Sequence, residues 1–293
     1  MTYFTGSAIW GYTGWVGNFF PKGSKPADFL REYSRRLSAV EGNTTFYATP
    51  SPSTIARWRE DTPPGFRFCP KLPRAISHAG QLMPHLDDAR RFVELMRGLG
   101  ARLGPLFLQL PPRYSPRFTT DLRAFLAAWP RDVKLAVEVR HLDWFKEPHH
   151  GLLNALLREC DAARVLIDTR PIRDLPDAAI EDGRVKVLMD QARQRKPDVP
   201  LLPERTASFV MLRYIGHPQV HLNAPLLDEW ADRLAGWMKE GADVYAFCHC
   251  PDETQSPLIC RELHRRVAAR VEIDPLPWDG RASQASIEQR RLF

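Results

Sequence analysis

Eight apolar runs of strand length alternate with amphipathic stretches of helix length, and this alternation constrains the fold more than any other feature. The runs are SAIW (7–10), LSAVE (37–41), FRFCPK (66–71), PLFLQL (105–110), KLAVEV (134–139), ARVLID (163–168), FVMLRY (209–214) and DVYAFC (243–248). Between them, PADFLREYSRRL carries Pro26 near a first turn, and SPSTIARWRED has Ser and Thr placed to cap. LLDEWADRLAGWMKE and SPLICRELHRRVAARV repeat apolar residues at helical spacing. The pattern predicts an α/β chain, a single-domain TIM-type (β/α)8 barrel over residues 1–273 with a flexible C-terminal tail at 274–293. A doubly wound sheet is the alternative. Against it, Gly11, Gly14 and Gly17 do not form the dinucleotide glycine pattern, and no GxxxxGK[ST] occurs.

One segment breaks the rhythm. Residues 171–206 are polar and proline-rich, a long insertion between the sixth and seventh strands that is placed to cover a barrel mouth. The first ten residues, MTYFTGSAIW, lack the basic-then-apolar pattern of a signal peptide, and no apolar run reaches the roughly 18 residues that span a bilayer. Five scattered cysteines suggest no disulfide framework, so the expectation is a cytoplasmic protein with no membrane partner. The net charge of +6 suits an anionic or phosphate-bearing partner, a small molecule or a nucleic acid.

Side chains alternate along a strand, so parity separates the two faces. In LAVEVR, Leu135, Val137 and Val139 share one face, and Ala136, Glu138 and Arg140 share the other. The same reasoning turns Glu41, Lys71, Gln109, Asp168, Arg213 and His249 inward near the C-terminal strand ends. In a βα barrel that rim carries the active site. Glu41, Lys71, Glu138 and Asp168 are the candidate catalytic residues, able to move protons or polarise a substrate. Arg140 and Arg213 can clamp a carboxylate or phosphate with paired donors. Tyr47 and Trp144 are among the aromatics near the same loops that could stack on a base or sugar. Glu41, Glu138, Asp168, His141 and His249 are acceptable ligands, yet no HxH or HExxH spacing occurs, so the cofactor is unassigned and a divalent metal is not favoured. Cys248-His249-Cys250 makes a poor metal clip, because on a strand the cysteines face away from the histidine.

The strings IWGYTGW, VEGNTTFYATPSPSTIARW, FRFCPKLPRAISH, LGPLFLQLPP, LAVEVRHLDWF and VMLRYIGHP resemble the YecE-like family, domain of unknown function 72, over roughly residues 7–270. The resemblance implies a βα barrel whose rim holds Glu41, Asn43, Thr45, Tyr47, Lys71, Gln109, Glu138, Arg140, His141, Trp144, Asp168 and Arg213. Within that rim Asn43, Tyr47, Gln109, Arg140, His141, Trp144 and Arg213 are the candidate substrate-binding residues. Two departures stand out: Gly42 replaces a bulky residue in the second-strand motif, and Cys248-His249-Cys250-Pro251 stands where the family has paired asparagines.

The chain ends QRRLF, which resembles the QxxLF peptide that docks on the DNA sliding clamp, with Gln289 setting the register and Leu292 and Phe293 filling an apolar pocket. Three readings follow. The first is an enzyme of the hydrolase or lyase class, acting in the mouth on a phosphorylated or nucleic-acid-related substrate. The second is a non-catalytic DNA-maintenance adaptor that binds the clamp through QRRLF. In the third, the charged ring is purely structural.

Overall fold

The computed structural model describes residues 1–176, 180 and 182–279. Eight strands run through it: β1 Tyr3–Gly6, β2 Ala39–Gly42, β3 Arg67–Pro70, β4 Leu106–Gln109, β5 Leu135–Glu138, β6 Ala163–Asp168, β7 Phe209–Ile215 and β8 Asp243–His249. Helices follow them, as the alternation requires. In Ala224–Lys239, for example, Leu227, Trp230, Ala231, Leu234 and Met238 form one buried stripe at helical spacing. Among the described residues no helix is long and apolar enough to cross a membrane.

The strand pairing corrects the expected fold. Instead of one closed eight-stranded barrel, the strands form an open, curled six-stranded parallel sheet, in the order β1-β8-β7-β6-β5-β4, and a separate two-stranded parallel sheet, β2-β3. Two seams account for this. Along β3, Phe68 and Leu72 direct their backbone groups toward the fourth strand's neighbourhood: Gly104 N–H donates to Phe68 O at 2.7 Å and Leu72 N–H to Phe107 O at 2.9 Å. Pro70 lies between them in the alternation and has no N–H, so the pairing of β3 with β4 is reduced to the isolated parallel bridges Phe68–Leu103 and Lys71–Phe107.

At the other seam a side chain stands in for the ladder. The Tyr33 hydroxyl accepts from Ser7 N–H at 2.7 Å and donates to Ala39 O at 3.0 Å, bridging the end of β1 to the start of β2. Gly6 is required there, because a Cβ on it would lie 1.8 Å from Ala39 O. Around the bridge, Ser38 N–H donates to Thr5 O and Glu41 N–H to Ser7 O, both at 3.1 Å.

The first strand also lies earlier than SAIW suggests. Ile9 and Trp10 are apolar because they pack as loop residues, the Trp10 ring meeting Trp58 edge-on at 5.2 Å and Phe68 at 6.2 Å.

Despite the two seams, every strand contributes to one interior. Phe4, Ala39, Cys69, Phe107, Ala136, Val165, Met211 and Phe247, one from each strand, belong to a single buried cluster. The outer faces pack against the helices in a second, larger core. Beyond the last long helix the chain still packs: Leu276 is buried, the Trp278 ring lies 5.1 Å from Phe19, and Trp278 N–H donates to Arg36 O.

The segment between β6 and β7 is partly helical. Short helix Arg170–Arg173 and helix Gly183–Arg195 place Ile172, Met189 and Ala192 on Ile167 and Ile215, at the C-terminal ends of β6 and β7.

Tyr33→Phe removes the hydroxyl that bridges Ser7 and Ala39 and strands the Ser7 N–H and Ala39 carbonyl inside the protein. The expected loss is about 1–3 kcal/mol in urea unfolding. An unfolding midpoint equal to that of the parent protein would show that the hydroxyl bridge contributes nothing.

Candidate active site

At the C-terminal strand ends the inner cluster turns from apolar to charged. The strand alternation that points Ala39, Cys69, Phe107, Ala136, Met211 and Phe247 inward carries Glu41, Lys71, Gln109, Glu138, Arg213 and His249 inward one step later. All six are buried.

Arg213 is the hub. Its guanidinium grips Glu41 with two bonds, Nε to Oε2 at 2.8 Å and Nη2 to Oε1 at 3.0 Å, and gives Nη1 to Glu138 Oε2 at 2.6 Å. Arg140 donates Nε to Glu138 Oε1 at 2.6 Å and Nη2 to Gln109 Oε1 at 2.8 Å. The same Gln109 oxygen accepts from Lys71 Nζ at 2.7 Å. His249 Nε2 lies 3.0 Å from Glu41 Oε2 and, as a neutral imidazole, donates to it. The Lys71 ammonium also sits over the rings of Phe46, at 4.3 Å, and Phe107, at 5.3 Å.

This environment sets the ionisation of each group. Burial works to neutralise Glu138, but Arg140, Arg213 and Lys71 overcome it and hold the carboxyl down to about 2. Burial is likewise overcome at Glu41, where Arg213 and His249 keep the carboxyl well below its usual range. Lys71 moves the other way. Burial first, then the neighbouring Arg213, depress its ammonium from 10.5 to about 7. Burial also pushes His249 down to about 4, so its imidazole is neutral near pH 7.

Other candidates lie elsewhere. Asp168 faces the opposite side of β6 from Ala163 and Val165 and is not part of the cluster. It accepts two forked bonds from Arg170, Nε to Oδ1 at 3.0 Å and Nη2 to Oδ2 at 2.8 Å, and a third from Trp230 Nε1 at 2.7 Å. Trp144 is fully buried, with Nε1 bound to Tyr114 O at 2.7 Å, so it packs inside the protein and lines no opening. Tyr47 is 80% exposed, its ring edge-on to Phe46 at 5.1 Å. His141 is half-buried and caps the turn Leu142–Phe145 by accepting from Asp143 N–H at 3.2 Å. Asn43 anchors a loop to Ala8 O at 3.2 Å, and Thr45 donates to Lys71 O at 2.6 Å, fixing the backbone of the lysine. Gln289, Leu292 and Phe293 lie outside the described residues.

Three residues that strand parity does not single out join the site. His78 closes FCPKLPRAISH, lies edge-on to Phe46 at 5.0 Å, and is depressed to about 4 by burial and then by Lys71 and Arg140. Glu253, whose Oε2 accepts from Ser256 at 2.9 Å, is raised by burial. Lys196, just beyond helix Gly183–Arg195, lies within electrostatic reach of Arg213, Glu41, Glu253 and Arg140 and is pushed down to about 8 by burial and by Arg213. None lies on a strand, so no alternation marks them. Among the described residues no group of three or more His, Cys, Asp or Glu side chains is arranged to hold a metal ion.

The family model described as "Protein of unknown function DUF72" matches residues 4–281. The chain belongs to the DUF72 family. It is 37% identical over 238 residues to UPF0759 protein YecE of Escherichia coli strain K12, covering 80% of this chain and 84% of that one. Among solved structures, a DUF72 family protein of Enterococcus faecalis V583 superposes with a TM-score of 0.67 at 16% identity, over 94% of this chain and 97% of that one. A DUF72 family protein of Thermotoga maritima MSB8 gives a TM-score of 0.62 at 20% identity, over 90% and 98%. At these identities the two structures speak for the DUF72 fold alone.

Two substitutions separate pairing from poise. Arg213→Met leaves buried Glu41 without its cation and Glu138 with Arg140 alone, and is expected to cost about 3–5 kcal/mol in chemical unfolding near pH 7. A loss under 1 kcal/mol would mean that the carboxylates are compensated elsewhere.

Lys71→Met has the opposite sign. Because the folded lysine titrates near 7 and the unfolded one near 10.5, the unfolded chain binds the extra proton between those values. Lys71 therefore makes stability rise from about pH 7 to about pH 10.5, and its cost is present in full below pH 7. Lys71→Met is expected to flatten that rise and to stabilise the protein at neutral pH by on the order of a few kcal/mol. An unchanged slope would refute the depressed lysine.

Proposed function

We propose that the DUF72 protein is an enzyme, of the lyase or hydrolase type, that binds a small phosphate- or carboxylate-bearing substrate in this mouth and exchanges a proton with it through Lys71. The observation that carries the reading is a buried Lys71 with no carboxylate partner among the described residues and an ammonium that titrates near 7. At neutral pH both of its forms are present, the condition under which one side chain can take a proton and return it. Burial, positive neighbours and a single amide contact supply this poise.

Glu41 and Glu138 suit a different task. Both are held ionised by Arg213, and their paired geometry supports a role in positioning the cations around the substrate. Arg140, with one forked arm on Glu138 and another on Gln109, presents its charge at the rim, where its side chain is 17% exposed. Access favours a small molecule or a terminal group over the body of a nucleic-acid duplex, since Lys71 is only 6% exposed and Glu138 1%.

A ring that served stability alone would close its charges on one another. Arg213 does so with Glu41 and Glu138, while Lys71 does not, and this favours the enzyme reading over the structural one. The clamp reading rests on the sequence of QRRLF, whose residues lie outside the described ones.

A panel of phosphate monoesters and short carboxylic acids, read by thermal shift and then by turnover of the compounds that bind, tests the proposal. The expected result is a rate limb near pH 7 and a loss of about 10²–10⁴-fold in kcat for Lys71→Met. Lys71→Arg, which keeps the charge but cannot release a proton, is expected to bind the compound and fail to turn it over. Turnover that survives in Lys71→Arg would remove Lys71 from the chemistry.

A further inference from the structure

At the N-terminal strand ends, away from the charged mouth, lies a second cavity of about 530 Å³. Its walls include Phe4 of β1, Arg67 at the start of β3 and Tyr245 of β8. Strand parity explains why an arginine stands here: Arg67 precedes the inward Cys69 by two positions and shares its face. Leu103 and Gly104, which lead into β4, place one wall along the β3–β4 seam. Phe4 links the two polar residues. The Arg67 guanidinium stands over its ring at 5.0 Å, and the Tyr245 ring stacks on it at 4.9 Å with the planes 17° apart.

Both polar residues keep bonding capacity that the protein does not use. Arg67 is half-buried and commits one nitrogen to the backbone, Nη1 donating to Pro64 O at 3.0 Å and to Phe66 O at 3.1 Å. Its Nε and Nη2, the edge that forks around a carboxylate, have no partner among the described residues. Tyr245 is only 4% exposed, yet its hydroxyl also bonds to none of the described residues. A buried phenol ordinarily finds a partner. The unpartnered Tyr3 hydroxyl is sealed inside the protein, whereas that of Tyr245 is reached from the cavity. Burial raises the Tyr245 phenol, so it remains a donor at neutral pH.

The other charges around the cavity are already matched. Arg97 is held by Asp132 at 2.6 Å and Glu94 at 3.2 Å. Lys134 is held by Asp243 at 2.9 Å, which the N-terminal amino group approaches at 4.0 Å. These three cations and three carboxylates cancel, and Arg67 leaves one positive charge, which suits a monoanion. Phe4, Leu103 and Val133 offer apolar wall to the rest of a ligand.

We infer that this cavity is a binding site for a small carboxylic acid with an apolar body, its carboxylate on the Arg67 fork and the Tyr245 hydroxyl as a further donor. The site is separate from the mouth and does not rest on the activity proposed there: Arg67 opens β3, and Lys71 follows its far end. No bond is made or broken in it.

Benzoate, with neutral benzamide beside it, is the probe, titrated by calorimetry into the full-length parent and into Arg67→Met, Arg67→Lys, Tyr245→Phe and Lys71→Met. The expected result is parent binding of benzoate in clear preference to benzamide, weakened about tenfold or more in Arg67→Met. Arg67→Lys, which keeps the charge without the fork, does not restore it. Tyr245→Phe weakens benzoate while its urea unfolding midpoint stays at or above that of the parent, because the hydroxyl it loses has no protein partner. In Lys71→Met the binding that depends on Arg67 persists. Benzoate binding that falls in Lys71→Met and persists in both Arg67→Met and Tyr245→Phe would assign the anion to the mouth and overturn the second site. A parent chain that binds no benzoate, or binds benzoate and benzamide alike, would overturn it as well. Should Arg67→Met fail to fold, Tyr245→Phe decides, and benzoate affinity unchanged there would overturn the inference.

Discussion

The Arg213 guanidinium, held between Glu41 and Glu138, is the interaction on which the rest of the mouth depends. It joins carboxylates 172 and 75 positions away in sequence and places both within hydrogen-bond distance of one buried guanidinium. Desolvating such a triad is expensive, and its net contribution to stability is smaller than its bonds suggest. Its larger effect is on the neighbours. The positive field of Arg213 helps to depress Lys71 and Lys196, and the carboxylate of Glu41 fixes the imidazole of His249. Burial and this ion triad together set the protonation state of the mouth near neutral pH.

The same interaction spans the two sheets. Glu41 and Lys71 come from or directly follow the two-stranded sheet, whereas Gln109, Glu138, Arg213 and His249 belong to the six-stranded one. Between the sheets two backbone bonds are joined on one side by the Tyr33 hydroxyl bridge, and on the other the pairing is interrupted at Pro70. The position of Glu41 opposite Arg213 is therefore set by side chains as much as by backbone pairing.

Strand parity read most of the charged ring well, on the four-residue strands and on the seven-residue β7 and β8 alike. In β2, β4 and β5 the apolar inner residue is followed two positions later by Glu41, Gln109 and Glu138, with no room for a change of phase. It failed at Asp168 because β6 runs for six residues and its inner positions are odd-numbered, so the last residue falls on the helix side. There the carboxylate serves Arg170 and Trp230. Trp144 and Tyr47 show a second limit: aromatic residues near strand ends are common, and only packing decides that one is enclosed and the other exposed.

Local chemistry was enough to determine the number of strands, their order along the chain, the following helices and the membership of Glu41, Lys71, Gln109, Glu138, Arg140 and Arg213 in one family of inward residues. These properties follow from alternation and from the segregation of apolar side chains, which act over a few residues. Only the tertiary structure decided how the strands pair, because closure depends on a tyrosine hydroxyl contributed from a helix and on a single missing proline N–H. It alone also decided that Lys196 comes within electrostatic reach of Arg213 and Glu41. A side chain delivered by a loop carries no periodic signature, and its partners are assembled from strands that lie close only once the chain has folded.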